Sequence, residues 1–183
     1  MRSTATRTVT AVLVWLALAM PGAAKPLVGT PVYNPETKSY FELVRAPVGL
    51  SIRGSELAEI GWARARKYAA SRIFKGVRGR LAVVKTKRVS DFLRDTFKPE
   101  REVWIGLRFF CRTRTLMWVT AEIHPPSAYK NWARPWKLGW ACSGGTKYAP
   151  VYYTPAKKGF RWQARGQRKE YYFLFVEYPT GKE

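Results

Sequence analysis

Few side chains in this sequence could do covalent or metal chemistry. The chain has one histidine, His124, and two cysteines, Cys111 and Cys142. One imidazole cannot build a zinc site, and no serine or cysteine nucleophile motif accompanies it. With Pro125 and Pro126 behind it, His124 reads as a solvated loop histidine. Asp91 and Asp95 stand four residues apart in a helical pattern, a spacing that could pair carboxylates for acid–base work. Arg88 and Arg94 lie beside them, so they read as solvated helix charges. No catalytic residue, cofactor or metal is expected.

Binding chemistry is better represented. Arg134, Trp136, Lys137 and Trp140 alternate cation and aromatic, and Tyr148, Tyr152 and Tyr153 follow. Aromatic faces stack on sugar rings or bases, while cations meet sulfate, phosphate or carboxylate. Arg161 and Arg165 extend the set, and arginine suits bidentate contact with such groups. A blander reading stands beside this one. Trp132 and Trp162 fit the core under a loop, Trp136 and Trp140 fit either role, and the cations fit a solvated basic surface without one ligand.

The whole composition points the same way. Lys+Arg is 33 and Asp+Glu 12, a formal charge of +21 over 183 residues. A charge of that size draws polyanions and opposes cations, whatever the fold. The length suits a single domain, and 46% hydrophobic residues with eight Trp argue for a packed core.

Residues 1–24 read as a secretory signal. Arg2 and Arg7 precede an apolar run from Val9 to Met20, and Pro21-Gly22-Ala23-Ala24 offers small residues for cleavage before Lys25. The run is too short for a bilayer, which needs about 20 residues. The expectation is an exported chain, periplasmic, cell-surface or secreted, with residues 25–183 as one domain and no membrane span. An uncleaved anchor or buried helix is the alternative. An oxidising compartment lets Cys111 and Cys142 pair, the alternative being two free buried thiols.

The elements that must position these residues follow an α+β order. Ser39–Val44 reads as a strand and Ala46–Gly54 as a loop. Glu56–Phe74 has the period of an amphipathic helix, with Ser55 as N-cap and Gly76 and Gly79 beyond its end. Arg80–Val84 is a short strand, and Ser90–Phe97 a second helix capped by Ser90. Val103–Leu107 and Leu116–Val119 are strands around a polar turn. Glu122–Tyr148 is a long irregular stretch rich in Pro, Gly and Trp. Late strands fall at Val151–Tyr153 or Gly159–Gln163, and at Tyr171–Tyr178. A loop of that length in a compact domain marks function or a misassigned element, and function is the reading taken.

In this order the segments resemble the C-type lectin-like domain over residues 33–178. Asn34-Pro35-Glu36-Thr37 with Tyr40–Val44 looks like the opening strand of bacterial members. Trp62–Tyr68 looks like the first family helix, and Gly79–Val84 the strand after it. Phe92-Leu93 sits where the second helix belongs. Trp104-Ile105-Gly106-Leu107 is the most recognisable tetrapeptide. Trp118, Tyr129–Trp132, Trp162 and Tyr172–Tyr178 complete the series. The resemblance implies two helices packed on antiparallel sheets, with a long-loop region for ligands.

Three departures shape the functional expectation. The family's usual disulfide positions are Ala69 and Val176 here, apolar residues that could pack instead. A Cys111–Cys142 bond would not be the usual family one. The calcium tripeptides are replaced by Arg134–Leu138 and Trp162-Gln163-Ala164, and no acid lies between Glu122 and Glu170. Calcium needs several carboxylate oxygens, so calcium-dependent sugar binding is not expected. The leading expectation is a calcium-independent, exported lectin-like protein that binds an anionic glycan or other polyanion. Its site would comprise Arg134, Trp136, Lys137, Trp140, Tyr148, Arg161 and Arg165. The alternative is an interaction module, an adhesin or assembly factor, whose partner is an acidic protein. An exported nucleic-acid binder ranks lower, because no nucleic-acid motif is present.

Overall fold

The computed structural model describes residues 27–51, 58–134, 141, 142 and 144–183. The proposed signal (residues 1–24), the helix cap at Ser55, and Trp136, Lys137 and Trp140 lie outside the described residues. The elements are β1 (Val32–Asn34), β2 (Ser39–Arg45), β3 (Ile60–Gly61), α1 (Trp62–Ser71), β4 (Ile73–Phe74), β5 (Val77–Arg78) and β6 (Arg80–Leu81). There follow α2 (Lys87–Phe97), β7 (Val103–Phe110), β8 (Thr115–Trp118), β9 (Tyr148–Tyr153), β10 (Trp162–Ala164), β11 (Glu170–Tyr171) and β12 (Phe173–Tyr178).

The main sheet runs β1-β2-β12-β7-β9-β10, with β6 added to β12 and β8 to β7. The chain is α+β as expected, but the sheet is mixed. β12 pairs antiparallel with β2 and parallel with β7, Phe173 opposite Val103 and Leu174 opposite Trp104. Strand alternation explains the two cores. Leu174, Val176 and Tyr178 face one cluster with Trp62, Ala65 and Ala69 of α1, whereas Phe175 faces another with Val89, Leu93 and Phe97 of α2. Successive side chains of a strand point to opposite faces, so the two helices cover opposite faces of β12. Ala69 and Val176 are both fully buried in the α1 cluster as apolar core residues.

Two helix boundaries differ from the sequence reading. The expected first residues of α1, Glu56 and Leu57, lie outside the described residues; among the described ones the helix starts at Trp62, because Ile60 and Gly61 pair antiparallel with Tyr171 and Glu170. It ends at Ser71, before Phe74, where the Arg72 N–H closes on the Ala69 carbonyl. α2 starts at Lys87 because Thr86 caps it, its hydroxyl accepting from the Val89 N–H at 3.2 Å. Ser90 instead lies inside the helix and is buried. Both alternative late strands exist: β9 and β10 pair with each other, Trp162 opposite Tyr153.

Candidate functional site: the long loop and the edge strand

The long loop is pinned at both ends. At its start, Asn131 is buried and donates from Nδ2 to the Phe160 carbonyl at 2.9 Å and to Ser90 Oγ at 3.3 Å. Tyr153 donates to the same Ser90 hydroxyl at 2.9 Å. The Trp162 N–H donates to the Asn131 carbonyl, and the Ala133 N–H to the Trp162 carbonyl. Residues 131–133 therefore lie beside β10. At the far end, Cys142 is joined to Cys111, the residue following β7. The expected pair is thus formed, and it ties the loop to the sheet.

Trp162 is the centre of the packing beneath. Its ring meets Trp118, His124, Tyr129 and Trp132 edge-on at centroid distances of 5.5–6.2 Å. The core reading of Trp162 holds, and Trp132 is partly buried against the same cluster. His124 is a correction: it is 5% exposed, not solvated. Its Nδ1 accepts from Trp118 Nε1 at 3.3 Å, and Nε2 meets no partner in hydrogen-bond geometry. Burial lowers its pKa, opposed by the Tyr129 backbone. Tyr152 and Tyr153 are likewise core side chains, 3% and 0% exposed, and offer no ring to a ligand.

The candidate cations fall into two groups. Arg161 is exposed and its Nη1 donates to Asn131 Oδ1 at 2.7 Å; Arg134, also exposed, follows the Ala133 that bonds to Trp162. Arg165 is on the other side of β10's short run. Its pKa is raised, chiefly by the Tyr152 hydroxyl, with Tyr171 adding to it and burial opposing. Alternation along β10 turns Trp162 inward and leaves Arg161 and Arg165 exposed. Tyr148 sits elsewhere. It is half-buried against Trp62 and Phe110, at the rim of a groove with Gly61, Ala63, Arg64, Gln167 and Arg168. The structure thus brings Arg134 and Arg161 to one edge and sets Tyr148 in different surroundings.

The sequence reading did not weigh Arg108, which touches Tyr148. Its signal was present: one cation inside the otherwise apolar run Val103–Phe110. Calcium, the metal usual for this kind of loop, does not fit these residues. No carboxylate occurs between Glu122 and Glu170, and Gln163 Oε1, on the late strand, already accepts from the Tyr152 hydroxyl at 2.6 Å. That stretch offers no carboxylate toward the several such oxygens a calcium site takes, and ten cations oppose the ion. Asp91 and Asp95 form surface ion pairs with Arg94, as solvated helix charges do.

No protein-family model matches the sequence, and no curated protein matches it. Solved structures do. The cow CD23 C-type carbohydrate-recognition domain, determined in the presence of a GlcNAc2Man3 oligosaccharide, is 18% identical with a TM-score of 0.56. That match covers 84% of this chain and 96% of the cow domain. Human lithostathine is 16% identical with a TM-score of 0.54, covering 94% of this chain and 99% of lithostathine. The Ca2+-independent C-type lectin SPL-2 of Saxidomus purpuratus is 14% identical with a TM-score of 0.51, covering 79% and 89% of the two chains. At these identities the likeness is one of fold, and this chain has the C-type lectin-like fold.

Proposed function

We propose that the protein is exported and binds an anionic glycan or other polyanion without calcium, through the basic and aromatic surface of its long loop. In this reading residues 1–24 are removed and residues 25–183 act as one binding domain, without catalysis. Arg134, Lys137, Arg161 and Arg165 meet the negative groups, and Trp136 and Trp140 offer ring faces. One observation carries the reading. From Ile123 to Lys169 there are ten Lys and Arg and no acid, and that stretch includes the loop and edge strand just described. The disulfide agrees with an oxidising compartment. Among the described residues no helix is long and apolar enough to cross a membrane. The likeness to SPL-2, a Ca2+-independent C-type lectin, supports a sugar-binding use of the fold that does not need the metal.

The test is a glycan array of the exported protein with EDTA, at low salt and at about 0.15 M salt. A narrow set of acidic glycans that survives both conditions is the expected result. The variant pair Arg134→Glu and Lys137→Glu then loses those hits while keeping its fold. Signal on every acidic glycan that vanishes with salt defeats the reading and leaves an acidic protein partner as the better one.

A further inference from the structure

Arg108 is the one charged residue of β7. Its guanidinium carbon lies 4.7 Å from the ring centroid of Phe110, 4.8 Å from that of Trp62 and 5.5 Å from that of Tyr148. Its Nε is buried without a hydrogen-bond partner, and it enters none of the ion pairs among the described residues. Burial and the nearby Arg66 both act against its charge. Ring faces therefore pack around a partly desolvated cation, an arrangement that an incoming anion would relieve.

Tyr148 connects that cation to a surface groove of about 330 Å³, lined also by Gly61, Ala63, Arg64, Gln167 and Arg168. Arg64 is held in place, its Nη1 donating to the Leu50 and Ser51 carbonyls at 2.9 and 3.0 Å. Gln167 and Arg168 are exposed on the turn between β10 and β11, closed by the Lys169 N–H on the Gly166 carbonyl. The acid next along the chain, Glu170, is 4% exposed and accepts from the Ser51 hydroxyl. The groove thus offers two guanidinium groups, an amide and one ring face.

We propose that this groove binds the acidic sugar residue of a polyanionic glycan. A carboxylate or sulfate lies between Arg64 and Arg168 with the Arg108 charge behind it, the sugar ring packs on Tyr148, and Gln167 meets a hydroxyl. The proposal rests on the anionic-glycan reading but uses side chains apart from the cations and tryptophans of the long loop. A volume near the lower end of small-ligand pockets suits one sugar ring. A nucleic-acid strand would call for several stacking rings in a row, and among the described residues Tyr148 is the one ring lining the groove.

Titration calorimetry on the exported protein with EDTA, at about 0.15 M salt, tests this. The probes are trigalacturonate, a sulfated trisaccharide, neutral trigalactose and an oligothymidylate. The expected result is binding of at least one acidic trisaccharide, with trigalactose and oligothymidylate at least about tenfold weaker. Arg168→Glu, on an exposed side chain, weakens that binding by about tenfold or more, and Arg108→Gln weakens it too, while Arg88→Gln, exposed on α2 across the sheet from the groove, changes it less than about threefold. If the Arg134→Glu and Lys137→Glu loop pair abolishes binding and both groove variants bind like wild type, the groove assignment is overturned and the long-loop reading stands. If the wild type binds neither acidic trisaccharide, both fall. Equal affinity for trigalactose or oligothymidylate overturns the acidic-sugar assignment.

Discussion

Trp62 and Trp104 tie α1 and β7 together reciprocally. The Trp62 indole donates to the Ile105 carbonyl and the Trp104 indole to the Ile60 carbonyl, each at 2.7 Å. Both rings are buried, at 1% and 0% exposure. Each satisfies a backbone acceptor beside the other ring, which is why a tryptophan and not a phenylalanine serves at each place. Trp104→Phe removes one N–H, strands the Ile60 carbonyl and leaves a void. Urea unfolding is expected to show a loss of about 2–4 kcal/mol. A loss under about 0.5 kcal/mol, the range of an unconstrained surface change, would mean the tie carries no weight.

Gly106, two residues on, is fixed by a close backbone approach. A Cβ added there would stand 2.7 Å from the Leu81 carbonyl oxygen, 2.8 Å from Val119 Cγ2 and 3.0 Å from the Ala82 carbonyl oxygen. Two of those neighbours are backbone and cannot swing away. The Gly106 N–H also donates to Ala82 at 2.8 Å. Gly106→Ala is expected to cost about 1–3 kcal/mol by overpacking. Gly76→Ala serves as contrast: it meets no atom within 4 Å, but its φ of +75° strains any side chain. A loss under about 0.5 kcal/mol for Gly106→Ala would show that the strands yield to the added methyl.

The Trp-Ile-Gly-Leu segment was legible from sequence as an apolar strand run and through its resemblance to the family tetrapeptide. The strand at Ser39–Val44 was legible for a similar reason, a run of apolar and aromatic residues that a sheet interior accepts. What escaped notice depended on distant partners. Ile60 and Gly61 look like the continuation of a helix until Glu170 and Tyr171 claim their backbone groups. Ser90 looks like a cap until the Tyr153 hydroxyl and Asn131 amide reach it inside α2. His124 looks solvated beside two prolines until Trp118 and Trp162 close over it. Of the candidate site, charge and ring content were readable. Whether Tyr152 and Tyr153 faced a ligand or the core was a matter of strand pairing that no local pattern reports.

Glu42 is a buried carboxylate, 0% exposed, whose oxygens are satisfied from α1's end and β12. Arg72 Nη2 donates to its Oε1 at 2.6 Å, and the Tyr178 hydroxyl donates to Oε2 at 2.5 Å. Burial and this acid together push the Tyr178 hydroxyl up to about 12. Arg72→Met leaves the carboxylate buried with its main partner gone, and a loss of about 3 kcal/mol is expected. Adding Glu42→Leu to Arg72→Met removes the stranded charge, so the double variant should regain part of that loss. If the double variant is less stable than the single one, the cost lies in lost packing and not in the unpaired carboxylate.

His124 makes stability depend on pH in a stated direction. Burial is the main cause of its lowered pKa, with Lys130 and Lys85 adding to it and the Tyr129 backbone and Glu122 opposing. The unfolded imidazole takes its proton near pH 6.5, whereas the folded ring resists until lower pH. Stability from this group is full above that value, and is lost as pH falls below it, because the unfolded chain then binds more protons. Protonation also fills Nδ1, the acceptor for the Trp118 indole. Comparing wild type with His124→Gln in urea from pH 8 down to about pH 5 isolates this term. The wild type should lose stability relative to the variant as pH drops, and parallel curves would sink the assignment.

The Cys111–Cys142 bond closes a span of 31 residues that contains β8 and the long loop. Loop-closure entropy values such a bond at about 3–4 kcal/mol, less any native strain. Both sulfurs are half-buried beside Phe109, Ala141 and Ala149, so a reductant should act slowly on the native state and readily once the loop opens. The double variant Cys111→Ser with Cys142→Ser is expected to melt well below wild type, and dithiothreitol should lower the wild type to a similar midpoint while leaving the variant unmoved. The same bond holds one end of the loop that Asn131 holds at the other. Below both melting points, the variant should therefore bind acidic glycan more weakly if the long loop carries the ligand, and unchanged if the groove at Tyr148 does. Equal melting midpoints for wild type and double variant would show that the bond restrains nothing the unfolded chain was free to do.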